Sequence, residues 1–193
     1  MTLTRAVLPT QTLPTQAMLV LVGSFLIALS AQVTVPMFPV PMTLQTLTIS
    51  LIGLAYGARL GAVTVLAYLA EGAAGLPVFA GGNAGLLYMT GPTAGFLFGF
   101  VPMAFATGWL AERLGARGFV ALFAAALIPA MGLFALGAGW PLVAGSFGIT
   151  AGWAKLPLAA VWTGFVAPFL LGSVVKSAIA AMMVAGGWRA ARR

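Results

Sequence analysis

The chain has 193 residues, of which 62% are hydrophobic and 6% charged, whereas a soluble domain carries about 25% charged residues. Glu71 and Glu112, its two acidic residues, cannot solvate the surface of a water-soluble domain of this size. Composition therefore excludes that class and selects a multi-spanning membrane protein. The net charge of +7 comes from basic residues scattered without a patch, so no nucleic-acid partner is expected.

At about 20 residues per span plus connections, the length fits a single all-α membrane domain, 1–193, of about six transmembrane helices. Arg5 ahead of an apolar run, with small residues at Ala28 and Ser30, gives the start a leader-like look. The apolar character continues to the end, however, and an uncleaved first span is expected. It runs from about Ala17 to Val35, leaving 1–16 as a cytoplasmic N-terminal segment. Pro36, Pro39 and Pro41 then block helix, because each lacks an N–H and restricts its predecessor. Thr43 is placed to cap a second helix, Leu44 to Tyr56. Gly57-Ala58-Arg59 turns the chain into a third, Leu60 to Ala70. Gly72 to Pro92 is apolar and glycine-rich, where regular helix should not persist. A fourth span covers Thr93 to Ala111 and a fifth Phe119 to Leu136. Trp153 to Trp188 would be ~54 Å long as one helix, too long for a hydrocarbon core of ~30 Å. Pro157 and Pro168 offer the breaks, giving an interfacial segment Trp153–Ala167 and a sixth span Pro168–Trp188 with its proline in the first turn.

Charge placement orients the bundle. Arg5, Arg59, Arg113/Arg117 and the tail at 189–193 (Arg189, Arg192, Arg193) all fall on one side of a six-span chain, which the positive-inside rule makes cytoplasmic. N- and C-termini are thus both inside. The opposite connections hold only Lys155 and Glu71 as candidate charges, and they are long, apolar and rich in Gly and Pro. Irregular backbone near membrane depth is tolerated only where it packs on protein or lines a cavity, so these outer loops are expected to cap a pocket between helices.

Lys176 is the most informative polar residue. It lies ~12 Å below the outer end of the sixth span, where an unpaired charge costs ~2.5–3.5 kcal/mol. Contact with an anionic or strongly hydrogen-bonding ligand is favoured over an internal pair with Glu71 or snorkelling. Ser173 lies one turn outward on the same face, although a hydroxyl bonded to its own helix is the plainer reading of a lone serine. Thr43 and Gln45 begin span two, and Asn83 sits in the glycine-rich loop; such groups serve either their own backbone or a ligand. Tyr68 and Glu71, on span three, complete the candidate binding set. Trp140, Trp153, Trp162 and Tyr88 can wall a pocket or form the interfacial aromatic belt.

The chain has no His and no Cys, and its acids are far apart in sequence, so neither metal ligation nor paired-carboxylate catalysis is expected. Gly172-Ser173-Val174-Val175-Lys176-Ser177 imitates a phosphate loop. Val175 stands where that loop needs glycine, and the stretch is inside a span. No ATPase, enzymatic or cofactor chemistry is expected. A solitary carrier or channel for another small vitamin-like solute and a ligand-free structural protein are the competing classes. The first would be expected to show coupling-ion carboxylates or an inverted repeat, and the second leaves Lys176 unexplained.

Three segments carry a family resemblance: Val40-Pro41-Met42-Thr43-Leu44-Gln45-Thr46-Leu47, Gly75-Leu76-Pro77-Val78-Phe79-Ala80-Gly81-Gly82 and Gly91-Pro92-Thr93-Ala94-Gly95-Phe96-Leu97. In order and spacing the chain resembles the BioY family, the biotin-specific S components of energy-coupling factor (ECF) transporters. The resemblance implies high-affinity biotin capture beneath loops 1–2, 3–4 and 5–6, in a multi-pass protein of the bacterial cytoplasmic membrane. It also implies delivery through a transmembrane coupling protein and two ATPase subunits, with the S component toppling in the bilayer; self-association stays open. The family's sixth span usually carries an acid three positions before a ligand-contacting lysine. Lys176 matches the lysine, but Ser173 occupies the acidic position. Span one of such proteins tends to present small residues to the coupling protein. Gly23, Ser24, Ala28 and Ala31 are the corresponding face, with Ser24 and Ala28 at small-xxx-small spacing; packing within the chain explains such a stripe equally well.

Overall fold

The structure is a computed structural model that describes residues 2–8, 10 and 12–191; Arg192 and Arg193 of the expected basic tail lie outside the described residues. A short helix α1 (Leu3–Val7) precedes α2 (Leu13–Gln32). The first long helix thus begins four residues before the expected start at Ala17, because Thr12 caps it through the Thr15 N–H and Pro14 fits its first turn. It also ends earlier, at Gln32. Val35, expected inside the span, instead pairs with Met42 in a two-stranded antiparallel ribbon, β1 (Thr34–Val35) and β2 (Met42–Thr43). The proline run forms the connection between these strands.

Helix α3 (Gln45–Tyr56) has Leu44, not Thr43, at its cap position. Thr43 belongs to β2, from which its hydroxyl still accepts the Gln45 N–H at 3.3 Å and donates to Gln45 Oε1 at 2.9 Å. Gly57, at φ +86°, makes the turn by itself, so α4 (Ala58–Ala73) is longer than the expected Leu60–Ala70. The glycine-rich stretch contains only a 3₁₀ turn at Ala80–Gly82 and one turn of helix, α5 (Gly85–Tyr88). Helices α6 (Ala94–Arg113) and α7 (Phe119–Val143) follow. The second of these passes the expected end at Leu136, because Gly137 fits against the Phe96 ring and Pro141 is accommodated inside the helix.

The tail corrects a second expectation. Helix begins ahead of Pro168, with α8 (Leu158–Val161), a π turn at Trp162–Val166 and then α9 (Ala167–Ala190). Pro168 does sit in the first turn of α9. The wider π turn before it absorbs the missing N–H and the steric demand of the ring, so the axis deforms instead of ending. Four stretches, Leu13–Gln32, Ala94–Arg113, Phe119–Phe147 and Leu158–Ala190, are long and apolar enough to cross a membrane. Helices α3 and α4 would extend only ~18 and ~24 Å.

Two packing regimes divide the bundle. At one end, small residues bring α3, α7 and α9 together around Leu54, Ala125, Ala126, Ala180, Ala181 and Trp188, as membrane helices do when van der Waals contact replaces hydrophobic drive. Arg117 lies 5.0 Å over the Trp188 ring, Leu3 packs at Gly187, and Glu112 Oε1 accepts the Ala58 N–H at 3.2 Å. Arg5, Arg59, Arg113, Arg117 and Arg189 therefore belong to one end. At the other, the larger side chains of Tyr68, Phe79, Phe96, Phe100, Leu133 and Phe165 form a second core beneath the ribbon and loops.

Close helix approach depends on bare glycines. A Cβ on Gly53 would lie 2.9 Å from the Ala104 carbonyl oxygen, and one on Gly108 would collide with the backbone of Gly57 and Ala58. Gly108→Ala should therefore lower the thermal unfolding midpoint in detergent, by the equivalent of ~1–3 kcal/mol of overpacking. Gly132→Ala, inside α7 and with no atom within 4 Å, should hold or raise it.

Candidate functional site

A pocket opens at the aromatic end of the bundle, with about 610 Å³ of empty space counted to its open mouth. Its walls are apolar over most of their extent: Phe96, Leu97 and Phe100 from α6, Leu133 and Phe134 from α7, Phe169 from α9 and Tyr88 from α5. Val40 and Pro41 of the ribbon connection and Ala80 of the glycine-rich turn also line it. Polar groups gather where α3 meets α9, namely Thr43, Gln45, Thr46, Ser173 and Lys176.

Lys176 joins these two elements. Its Nζ donates to the Thr43 carbonyl at 2.7 Å and to Thr46 Oγ1 at 3.2 Å. An ammonium has three donors, so one remains for a ligand. No carboxylate neutralises it among the described residues: Glu112 caps α4, and Glu71 Oε1 takes the Ser24 hydroxyl at 2.7 Å. The internal Lys176–Glu71 pair considered above is not formed. Ser173, 6% exposed, has no hydrogen-bond partner among the described residues, and its hydroxyl faces the same pocket. Gln45 is 4% exposed and donates one amide N–H to Tyr68 Oη at 2.8 Å, leaving its second N–H for the pocket.

The other sequence candidates stand behind this lining. Tyr68 is fully buried and passes a hydrogen bond from its hydroxyl to the Val78 carbonyl at 3.2 Å, so it supports Gln45 and the loop without reaching the cavity. Asn83 is exposed and closes its own turn by donating to the Ala80 carbonyl at 2.7 Å. Glu71 sits between α4 and α2, outside the lining. Gly23, Ser24, Ala28 and Ala31 are all buried, and a Cβ on Gly23 would strike Thr64 and lie 3.2 Å from Tyr56. The stripe thus faces α3 and α4 inside the chain. Trp140 joins Phe147 and Trp153 in a stack over the loops, at centroid distances of 6.1 and 6.4 Å, while Tyr88 reaches the pocket.

Sequence reading included Tyr88 as a wall residue but passed over Thr46 and the phenylalanines of the wall. Thr46 could have been found from its place within the Val40–Leu47 segment, one helical turn after Thr43. Phe96, Phe134 and Phe169 carry no such signal, because an apolar residue in an apolar span looks the same whether it faces lipid, a neighbour or a cavity.

Comparison with known proteins agrees with this geometry. The BioY family model matches residues 4–193. A biotin transporter BioY from Rhizobium etli is 38% identical over 153 residues, 75% of this chain and 76% of that one. Another, from Rhodobacter capsulatus, is 38% identical over 169 residues, 84% of this chain and 87% of that one. The crystal structure of the S-component for biotin from an ECF-type ABC transporter superposes with a TM-score of 0.75 at 22% identity, covering 92% of this chain and 94% of that one. The helical bundle accordingly shares the fold of that S-component, and the chain belongs to the BioY family.

Proposed function

We propose that the chain binds biotin in this pocket and is the substrate-specific subunit of an ECF-type uptake system in the bacterial cytoplasmic membrane. The observation that carries the reading is the pairing of an aromatic cavity with one polar corner in which Lys176 keeps a donor to spare. Biotin has the matching chemistry: a fused ring body with apolar faces, a ureido group that both donates and accepts, and a carboxylate. Phe96, Phe134, Phe169 and Tyr88 enclose the ring body. Lys176 meets a carboxylate or ureido oxygen, Ser173 donates or accepts beside it, and the Gln45 amide offers a further donor. Thr43 acts by holding Lys176 and Gln45 in place, Tyr68 by holding Gln45, and Asn83 by closing the turn beside Ala80.

Transport needs energy that this chain does not generate. Gly172–Ser177 lies inside α9, whereas a phosphate loop must follow a strand and open a helix. A transmembrane coupling protein and two ATPase subunits supply the drive in this reading. The exposed side of α2, with Leu21, Phe25 and Leu29, is the face open to that partner. Gly23, Ser24, Ala28 and Ala31 contribute by letting α2 lie close to α3 and α4. Six helices cross the bilayer, α3 and α4 being short because their outer ends stop beneath the ribbon and loops, and both termini are cytoplasmic.

Purified protein in detergent should bind biotin by calorimetry, and Lys176→Ala should weaken binding at least tenfold, about 1.4 kcal/mol. A wild-type protein with neither binding heat nor thermal shift would sink the assignment; an unchanged Kd in the variant would remove Lys176 from the site. Because the chain has no cysteine, topology can be read from single introduced thiols. A membrane-impermeant maleimide applied to intact cells should label Ser146→Cys, and should label Gly118→Cys only after permeabilisation; the reverse pattern would invert the orientation.

A further inference from the structure

The connection between α4 and α5 supplies Ala80 to the pocket and leads to Tyr88. Its tip nevertheless has two consecutive glycines in the left-handed region, Gly81 at φ +70° and Gly82 at φ +73°. The turn closes on itself, with the Gly82 N–H donating to the Phe79 carbonyl at 3.1 Å, the Phe79 N–H to the Asn83 carbonyl at 3.0 Å and Asn83 Nδ2 to the Ala80 carbonyl at 2.7 Å, but these bonds lie within it and do not fix it against the bundle. Attachments to the rest of the bundle must hold it.

The base of the loop has two such attachments. The Phe79 ring is fully buried in the space that Gly72 leaves, edge-on to Tyr68 at 5.6 Å and stacked on Tyr88 at 5.2 Å. The Tyr68 hydroxyl donates to the Val78 carbonyl. Neither reaches the glycines. The tip is held by Gln32, the last residue of α2. Its Nε2 donates to the Phe79 carbonyl at 3.1 Å and to the Ala28 carbonyl at 3.2 Å, while its Oε1 accepts the Gly82 N–H at 3.0 Å. One primary amide therefore grips both ends of the turn and braces itself on its own helix. Only a primary amide presents two N–H donors and a carbonyl acceptor together, the set that these three bonds use. Gln32 itself does not line the cavity.

We propose that Gln32 is a positioning residue that keeps the Phe79–Asn83 turn closed over the pocket and thereby sets how slowly bound ligand leaves. The inference rests on biotin occupying the pocket as proposed above. Gln32 acts through the turn and touches no ligand, so its loss should alter escape while leaving the polar corner intact.

The test is Gln32→Leu, similar in bulk but unable to form any of these three bonds, in the full-length protein in detergent. Biotin dissociation, followed by displacement with excess unlabelled biotin, should become about tenfold faster, with the association rate within about twofold of wild type. Amide exchange should accelerate at residues 80–83 and not in α6 or α7. Unchanged dissociation, or exchange that rises throughout the bundle, would overturn the proposal. If the variant does not fold, Gln32→Glu, which keeps an acceptor for the Gly82 N–H and loses both donors, takes its place, and dissociation no faster than wild type refutes the clamp. Absence of biotin binding to the wild type would instead reject the proposed function and leave the exchange measurement to judge Gln32.

Discussion

Lys176 Nζ rests on the Thr43 carbonyl at 2.7 Å, across 133 positions of sequence, and the pocket is arranged around that contact. A lysine two turns inside a membrane helix must find acceptors, because burial without them costs more than the fold can spare. The nearest come from the segment that enters α3, whose backbone is irregular and so has a carbonyl free to accept. Satisfying the lysine therefore draws α9 against the start of α3 and places Ser173, Thr43, Thr46 and Gln45 together. Side chains that would be scattered polar groups in an apolar sequence become one corner of a cavity.

The same constraint explains the outer loops. Backbone that leaves helix near membrane depth must still pair its N–H and C=O groups, and here side chains from neighbouring helices do much of this. Gln32 serves Phe79 and Gly82, Tyr68 serves Val78, and Trp140 Nε1 donates to the Gly91 carbonyl at 2.9 Å. The opposite end has regular helix close to its termini, short turns and small residues, and needs little of this support. That contrast explains the aromatic-lined cavity: alanine and glycine faces close on each other, while aromatic side chains beneath the loops leave space between them.

Much of this was legible in the sequence, for identifiable reasons. Helix positions followed from apolar length and proline placement, and Lys176 stood out because charge in a span is costly. Where the reading failed, a proline or glycine was given too much weight. Pro141 and Gly137 lie within α7, and Pro168 is preceded by a π turn where a break was expected. In a membrane bundle a neighbour can use the gap that a glycine leaves, as Phe96 does at Gly137, and the helix then continues. The direction in which polar residues face was less legible. Tyr68 and Gln45 belong to one hydrogen-bonded pair, yet only Gln45 meets the cavity, and Gln32 gave no sign that it would reach forward to a loop. Contacts across 50 positions leave no local trace.

Ser173 is where sequence and structure bear most directly on each other. An acid at this position would sit one turn from Lys176 on the same face and could neutralise it within the helix. A serine cannot, so the Lys176 amine depends on the carbonyl of Thr43 and the hydroxyl of Thr46, both dipoles and neither an anion. A cation solvated only by dipoles in a low-dielectric site attracts an anion or a strongly polarised oxygen far more than water would allow. The protein has thus left part of that lysine's stabilisation to whatever enters the pocket. In the proposed site, a serine at this position leaves the electrostatic complement of Lys176 to the ligand, and the polar corner would favour molecules that bring it.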